Sequence, residues 1–207
     1  SRATTGQSLG RDQLTAVAGE LLDDGWRLAL IAAHDDQDRL RVVYSFLRPV
    51  GRRHELTLEI PRDDAWLPTL AHRSFPAGRF EREIRDLFGI APDGHPMPKR
   101  LVRHAHWPHG YHPIRHDADP TPRFNSDVGS YPFIAVEGDG VYEIPVGPVH
   151  AGIIEPGHFR FSVVGETILQ VKARLWFLHR GVEKLFEGRT PAQGIELAER
   201  ISGDAAV

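Results

Sequence analysis

Hydrophobic and polar residues alternate along the first third of the chain in a way that predicts one helix and three strands. The helix runs from about Arg11 to Asp23, and Gly25 follows as a stop signal. Its apolar residues share one face at helical spacing: Leu14, Val17, Ala18, Leu21 and Leu22. Runs of period-two alternation follow at 26–33, 40–47 and 54–60. Because the connections are short enough for hairpins, we expect an antiparallel meander with the helix across its apolar face.

Two further helices are expected before residue 90. A short one would begin at Asp63 or Asp64 and include three apolar residues: Trp66, Leu67 and Leu70. A stronger one covers RFEREIRDLFGI at 79–90, with Gly89 placed to end it in the left-handed conformation. Its apolar stripe is Phe80, Ile84, Leu87 and Phe88. Two pairs at i, i+4 spacing are expected to form ion pairs on its outer surface: Glu81 with Arg85 and Arg82 with Asp86.

The periodicity ends in a stretch rich in proline and histidine. Residues 91–117 hold five prolines and six of the twelve histidines, and because proline forbids regular helix or central strand we expect an extended arm. Several imidazoles of this arm could gather around zinc or nickel: His104, His106, His109, His112 and His116. The alternative is a solvated arm that docks on a partner, since the histidines are spread along a flexible segment.

Regular patterns return at Val141. A strand is expected at 141–146, and a hairpin follows in which Phe159, Phe161 and Val163 alternate with polar residues before a type II′ turn at Gly165. Two helical stretches are expected at 178–186 and 191–201, the second capped by Thr190. The fold class is therefore α+β, with a domain at 1–117 that includes the arm, a linker at 118–140, and an incomplete domain at 141–207. A piece of this size leaves about 40% of its unfolded-chain surface exposed, so it must pack on the first domain, a partner or missing sequence.

Composition narrows the function classes. The 207 residues are 41% apolar and carry a formal charge of −3, which argues against a nucleic-acid or lipid surface. No apolar run approaches the roughly 20 residues of a membrane span and no signal-peptide core is visible, so we expect a soluble, cytoplasmic protein. The absence of cysteine excludes disulfides, thiolate catalysis and cysteine-held clusters. Motifs for dinucleotide, phosphate or zinc-protease chemistry are also absent.

A first resemblance rests on the stretch Phe80–Asp117. Its ordered motifs ERE, DLFGI, GHP, RL, the single Trp107, HP and RHD resemble the signature of the C subunit of respiratory complex I. The resemblance implies a docking role toward other subunits for the polar and aromatic residues of these motifs: Glu81, Arg82, Asp86, His95, Arg100, Trp107, His112, Arg115 and Asp117.

A second resemblance covers the end of the chain. GPVH at 147–150, EPGHFR at 155–160, HRGVEKL at 179–185 and ERI at 199–201 resemble the start of the D subunit of complex I and of [NiFe]-hydrogenase large subunits, including those of formate hydrogenlyase type. In that hydrogenase family the two regions are fused in this order. Arg180 and Glu183 would then dock on partners, line a would-be active-site cavity, or form a buried ion pair with each other.

The chain departs from the hydrogenase pattern at its metal ligands. The Cys-Gly-x-Cys of the family is replaced here by residues 202–205, so the degenerate ligand positions are Ser202 and Ala205. A serine hydroxyl substitutes poorly for a thiolate toward nickel. The family's loop glutamate, which relays protons, corresponds to Glu155, and the alternative is a carboxylate bonded to neighbouring backbone N–H groups. The place of a quinone-contacting histidine falls near Ile154.

The resemblances imply a non-catalytic structural subunit, or a fragment of one, of a complex-I-like NADH:quinone oxidoreductase or membrane-bound hydrogenase complex. NADH, quinone, iron–sulfur clusters and nickel–iron would belong to the parent complex and no cofactor to this chain. Its partners would be the large-subunit bundle and iron–sulfur subunits at the cytoplasmic face of the membrane. The alternatives are a formate hydrogenlyase-like large subunit whose metal site needs further sequence, a histidine-rich metal-binding module, and a truncated product without function.

Overall fold

The computed structural model describes residues 4–126, 129, 131–152 and 154–201. The chain forms two compact units, one of residues 1–103 and 107–124 and the other of residues 104–106 and 125–207. Both contain sheets and helices, which confirms the α+β class. The boundaries at 117 and 140 that the sequence suggested stay a prediction.

The first unit is built on a four-stranded sheet in the order β1-β4-β3-β2. Its elements are β1 (Thr4–Leu9), α1 (Arg11–Asp23), β2 (Arg27–Asp35), β3 (Arg39–Arg48) and β4 (Arg52–Pro61). The predicted helix and antiparallel meander are confirmed. Strand β1 was missed, because Leu9 is its only large apolar residue and its parallel pairing with β4 is not visible in local periodicity.

The core of this unit lies on one face of the sheet. Alternate residues of β3 and β4 are fully buried there: Leu40, Val42, Tyr44, Phe46, Leu56, Leu58 and Ile60. They form one hydrophobic cluster with Leu14 and Ala18 of α1. The period-two pattern therefore identified the inward-facing residues of the two central strands correctly.

The helix expected at 63–70 is wrong. Residues Trp66–Pro68 form a short strand, β5, which pairs in parallel with β6 (Ala91–Asp93). Proline lacks a backbone N–H and suits an edge position better than a helix. Asp64 does not cap a helix here, since its carboxylate accepts a hydrogen bond from Arg11 at 2.7 Å. A strand partner 25 residues away decided this segment, and local propensity could not reveal it.

Helix α2 (Phe75–Phe88) is the long helix that the sequence predicted, with a start several residues earlier. It packs against β2 and buries Ile84, Leu87 and Phe88. Gly89 ends it with a φ of 75° in the left-handed region, as expected. The described residues from 94 to 140 contain no helix or strand, as the prolines of the arm predicted, but Ala91–Asp93 at the start of the predicted arm form strand β6.

The arm is not solvated along its length, however. Leu101, Val102 and Ile114 are buried and belong to the core cluster of the first unit. The expectation of a solvated arm is therefore wrong for these residues, because their apolar side chains fill the core rather than face water.

The second unit contains a three-stranded antiparallel sheet in the order β7-β8-β9. Its elements are β7 (Val141–Val146), β8 (His158–Val164), β9 (Thr167–Arg174), α3 (Val182–Phe186) and α4 (Pro191–Glu199). The strands confirm the predicted pattern, and the two-residue turn has Gly165 at a φ of 55°. Helix α3 is shorter than expected because Gly181 precedes it at a φ of 64°. Thr190 caps α4 by accepting a hydrogen bond from Gln193 N at 3.3 Å. Among the described residues no helix could cross a membrane.

Replacing Gly89 by alanine should destabilise the first unit more than the same change at Gly25. Both glycines have positive φ, at 75° and 81°, which costs an L-residue about 1 kcal/mol. Only at Gly89 would the new Cβ also lie 2.5 Å from His112 Nε2, whereas at Gly25 the nearest atom is 4.0 Å away. Urea unfolding followed by tryptophan fluorescence measures both losses, and equal losses would contradict the close approach of His112.

Candidate functional site

Asp86 anchors the arm to helix α2. Its buried Oδ2 accepts three successive backbone hydrogen bonds, from Leu101 N at 2.7 Å and from Val102 N and Arg103 N at 3.1 Å each. Its Oδ1 accepts from Arg85 at 3.0 Å. Because three N–H donors and a guanidinium surround one carboxylate, this contact fixes where the arm lies on the helix.

Two arginines of α2 bind the preceding stretch of the arm. Arg82 donates to Lys99 O at 2.6 Å and to Arg100 O at 2.8 Å, and Arg85 donates to Pro98 O at 2.7 Å. Together with Asp86, these side chains satisfy the backbone carbonyls of 98–100 and the backbone N–H groups of 101–103. A segment without secondary structure needs such partners when it is buried.

The outward i, i+4 ion pairs expected on this helix are therefore wrong. Arg82 and Asp86 are buried, and both hydrogen-bond to the backbone of the arm. Glu81, fully buried, accepts from Leu70 N at 2.6 Å and from the Thr69 hydroxyl instead of pairing with Arg85. These three residues, predicted to dock on partners, have side chains that face the interior, so we assign them to the fold.

Burial controls the protonation of the groups around Glu81. Desolvation raises the pKa of Glu81, against the lowering effect of its hydrogen bonds from Thr69 and Leu70. Desolvation also lowers the pKa of His95. His95 lies 3.9 Å from the Glu81 carboxylate, contacts Gly78 O through Nε2 at 3.0 Å and accepts from Met97 N through Nδ1. These partners fit a neutral imidazole that donates from Nε2.

A groove of about 710 Å³ lies in the part of the arm that ends the first unit. Three of the predicted docking residues line it: His112, Arg115 and Asp117. Arg115 donates to Phe88 O at 2.6 Å, and the ion pair with Arg62 lowers the pKa of the Asp117 carboxyl. Burial lowers the pKa of His112. The structure thus brings these three residues together at a polar, accessible surface.

The remaining predicted docking residues of this unit are half-buried beside the groove or the helix. Trp107 lies edge-on to Tyr111, with ring centroids 5.9 Å apart, and Tyr111 lines the groove. Arg100 is half-buried and gives its carbonyl to Arg82. A docking role for these residues stays a prediction.

Histidines close the loop that resembles the hydrogenase motif. His150 Nε2 lies 2.7 Å from Gly157 O, and His158 Nδ1 lies 3.2 Å from Gly147 O. Gly147 has a φ of 79°, and a Cβ there would overlap the Gly157 carbonyl oxygen. The two histidines therefore hold the loop ends together, which is a structural use of these side chains.

Glu155 and Arg180 meet at the surface of the second unit. The Glu155 side chain is 67% exposed and lies 3.4 Å from Arg180, which also donates to Ile201 O. Glu183 bonds to His179 at 2.6 Å, and this contact lowers the pKa of the Glu183 carboxyl. The prediction of a buried ion pair between Arg180 and Glu183 is therefore wrong, since each side chain has another partner. A proton-relay role for Glu155 stays a prediction.

The residues present do not fit a thiolate-held nickel–iron site. The chain contains no cysteine, and Ser202 and Ala205 lie outside the described residues. Over the part of the chain that the structure describes, no three His, Asp or Glu residues are grouped as metal ligands. His104 stacks on His106 and contacts Phe177 O at 2.9 Å.

Comparison with known proteins identifies the family. The family of the respiratory-chain NADH dehydrogenase 30 Kd subunit matches residues 8–123, which include the meander, helix α2 and the groove. The chain belongs to this family. The resemblance to the C subunit of complex I that the motifs indicated is therefore confirmed.

The relatives of this chain include components of hydrogenases and subunits of NADH-quinone oxidoreductases. Hydrogenase-4 component G of Escherichia coli (strain K12) is 40% identical over 70% of this chain and 27% of its own length. Formate hydrogenlyase subunit 5 of the same organism is 33% identical over 86% of this chain and 33% of its own. The C/D subunit of NADH-quinone oxidoreductase from Phocaeicola vulgatus is 33% identical over 80% of this chain and 35% of its own. The chain thus spans about a quarter to a third of these relatives.

A solved structure shares the fold. The membrane-bound sulfane sulfur reductase, an archaeal respiratory membrane complex, contains a chain that matches with a TM-score of 0.50 and 21% identity. The match covers 58% of this chain and 74% of that one.

The sequence did not reveal the roles of two residues of the site, Arg85 and Arg103. Arg85 was placed in a surface pair and Arg103 was not singled out, yet Arg103 donates to Pro108 O at 2.6 Å. The available signal was a strongly charged helix followed by a proline-rich segment that has no regular backbone pairing of its own.

Replacing Asp86 by asparagine should loosen the arm. The variant keeps the size of the side chain but removes the charge that accepts three N–H groups, at a cost of about 2 kcal/mol. Hydrogen exchange at 101–103 should accelerate and trypsin should cut faster after Arg100 or Arg103. Asp93→Asn, at an exposed position on β6, is the matched control. Unchanged exchange at 101–103 would rule out the anchoring role.

Replacing Glu81 by glutamine should change how stability depends on pH. The raised pKa of Glu81 means that wild-type stability is fully present below the unfolded pKa and is lost as pH rises through the folded pKa. Glu81→Gln lacks this loss, so its free energy of unfolding should gain on wild type as pH rises from the ordinary glutamate pKa of about 4.3 through the raised pKa of the folded state. Urea unfolding at several pH values measures the difference, with exposed Glu20→Gln as control. A difference that does not change with pH would contradict the effect.

Proposed function

We propose that this chain is a non-catalytic structural subunit, or a segment of one, in a complex-I-like NADH:quinone oxidoreductase or a membrane-bound hydrogenase-type complex. The observation that carries the proposal is membership in the 30 Kd subunit family over residues 8–123. Relatives from hydrogenases and from NADH-quinone oxidoreductases align with most of this chain, beyond the family match.

The placement of the charged residues supports a structural role. Arg82, Arg85 and Asp86 are occupied by the backbone of the arm. Glu155 is exposed and its nearby cation is Arg180, which does not provide the buried setting of a tuned proton carrier. With no cysteine in the chain, redox cofactors would be held by other subunits.

The proposed partners are the large-subunit bundle and the iron–sulfur subunits of such a complex. Residues accessible for contact with them line or flank the groove of the first unit: Trp107, His112, Arg115 and Asp117. The chain would then be peripheral at the cytoplasmic face of the membrane, and NADH, quinone and metal clusters would bind its partners.

A second candidate is a hydrogenase large subunit of formate hydrogenlyase type, whose metal site would include residues outside this chain. Two hydrogenase components, at 40% and 33% identity, favour it. Nickel found in stoichiometric amount in the polypeptide purified from its native host would support this candidate over the first.

Affinity purification of the tagged protein from its native host should recover hydrogenase- or oxidoreductase-type subunits, including iron–sulfur and membrane subunits. The same tag on an unrelated soluble protein of the host is the control. Mass spectrometry of the co-purifying chains gives the readout. Recovery of the protein alone under mild detergent would overturn the proposed function.

A further inference from the structure

In the sheet of the second unit, the polar face is covered by other residues and the apolar face is exposed. Ser162 is 0% exposed and Lys172 only 8%, and Arg174 on the same side of β9 is also buried. Side chains of successive residues point to opposite faces of a strand. The buried face of this sheet is therefore the charged one, which is the reverse of the usual arrangement.

Residues of the same unit close the polar face. Lys172 forms an ion pair with Glu143, and Arg160 lies 3.4 Å from the same carboxylate. The Arg174 guanidinium stacks on Tyr131 at 4.1 Å from the ring centroid, and Arg160 lies 4.8 Å from the ring centroid of Phe133. The charges on this side are thus paired or stacked.

The opposite face is apolar, and it is exposed on the two outer strands while Val163 of the central strand is buried. Ile144, Phe161 and Val171 lie directly across from one another on the three strands, and Ile144 is 42% and Val171 51% exposed. Tyr142 and Val146 extend this row along β7. We call these five residues, Tyr142, Ile144, Val146, Phe161 and Val171, the apolar face. The four outer-strand members of this face are exposed, and grouped exposed apolar residues are typical of an interaction surface.

Acidic residues border one end of the apolar face. Glu137 and Asp139 precede β7, and Glu166 occupies the turn between β8 and β9, at the end where Val141 pairs with Val164. All three are exposed, and within the described ranges no ion pair forms to any of them. A partner that fits this end carries lysine or arginine there.

We propose that the apolar face is the docking surface for a large-subunit polypeptide, which covers it with an apolar surface bordered by basic residues. The inference rests on the proposed function. Formate hydrogenlyase subunit 5 aligns with 86% of this chain over only 33% of its own length, so a relative of this kind has ample further polypeptide to cover such a sheet. A sheet with one apolar face requires such a second layer.

A second copy of this chain is a poorer occupant. Three strands of six to eight residues present a face of roughly 300 Å², whereas a stable interface buries about 800 Å² on each partner. Two such faces stacked alone would therefore be too small for a stable dimer, whereas the proposed large-subunit partner would also contact the groove residues of the first unit.

Charges placed on the apolar face should separate the complex. In the tagged full chain in its native host, Ile144→Glu with Val171→Glu should reduce the co-purified large subunit at least about tenfold, because two unpaired carboxylates would be buried. Val149→Glu is the matched control, since Val149 is 83% exposed in the same unit but outside the sheet. Recovery of the large subunit at the wild-type level with the double variant overturns the docking surface alone.

Photo-crosslinking keeps the test valid if the double variant misfolds. A benzophenone amino acid at position 144 should crosslink to large-subunit peptides, and the same amino acid at 149 should not. Crosslinks from 144 to a second copy, with a dimer in sedimentation that Ile144→Glu breaks, overturn the inference. A wild-type chain that recovers no oxidoreductase subunit overturns the proposed function as well, which distinguishes the two failures.

Discussion

The hydrogen bonds between Asp86 and three successive backbone N–H groups hold the first unit in its shape. Residues 98–103 cross the buried surface of α2 without belonging to a helix or sheet, and buried peptide groups without partners are costly. Arg82 and Arg85 supply donors for the carbonyls just before the point where Asp86 accepts from the N–H groups. The arm can therefore bring Leu101, Val102 and Ile114 into the core.

These hydrogen bonds explain why the strongly charged helix α2 can pack in the interior of the protein. Charges are buried here only where backbone groups solvate them, and the anchored arm in turn presents the groove lined by His112, Arg115 and Asp117. The groove thus depends on the anchor, because the same segment supplies both. The proposed assembly with other subunits would thus use a fixed surface on a segment that lacks regular structure.

Charged and apolar side chains are arranged differently in the second unit. Its own aromatic and acidic residues cover the charged face of the sheet, and the apolar face stays open. The proposed docking on a large-subunit polypeptide would cover this open face. This agrees with relatives of whose length the alignment covers only 27% and 33%.

The sequence by itself determined the regular elements, the inward residues of β3 and β4, the end of α2 at Gly89 and the family motifs. These features are local, because periodicity and turn chemistry act over a few residues. Tertiary structure alone decided the strand at Trp66–Pro68, the inward direction of Glu81 and Asp86, and the separate partners of Arg180 and Glu183. It also decided which face of the β7–β9 sheet is covered. Alternation reveals that a strand has two faces, but what packs on each depends on segments distant in sequence.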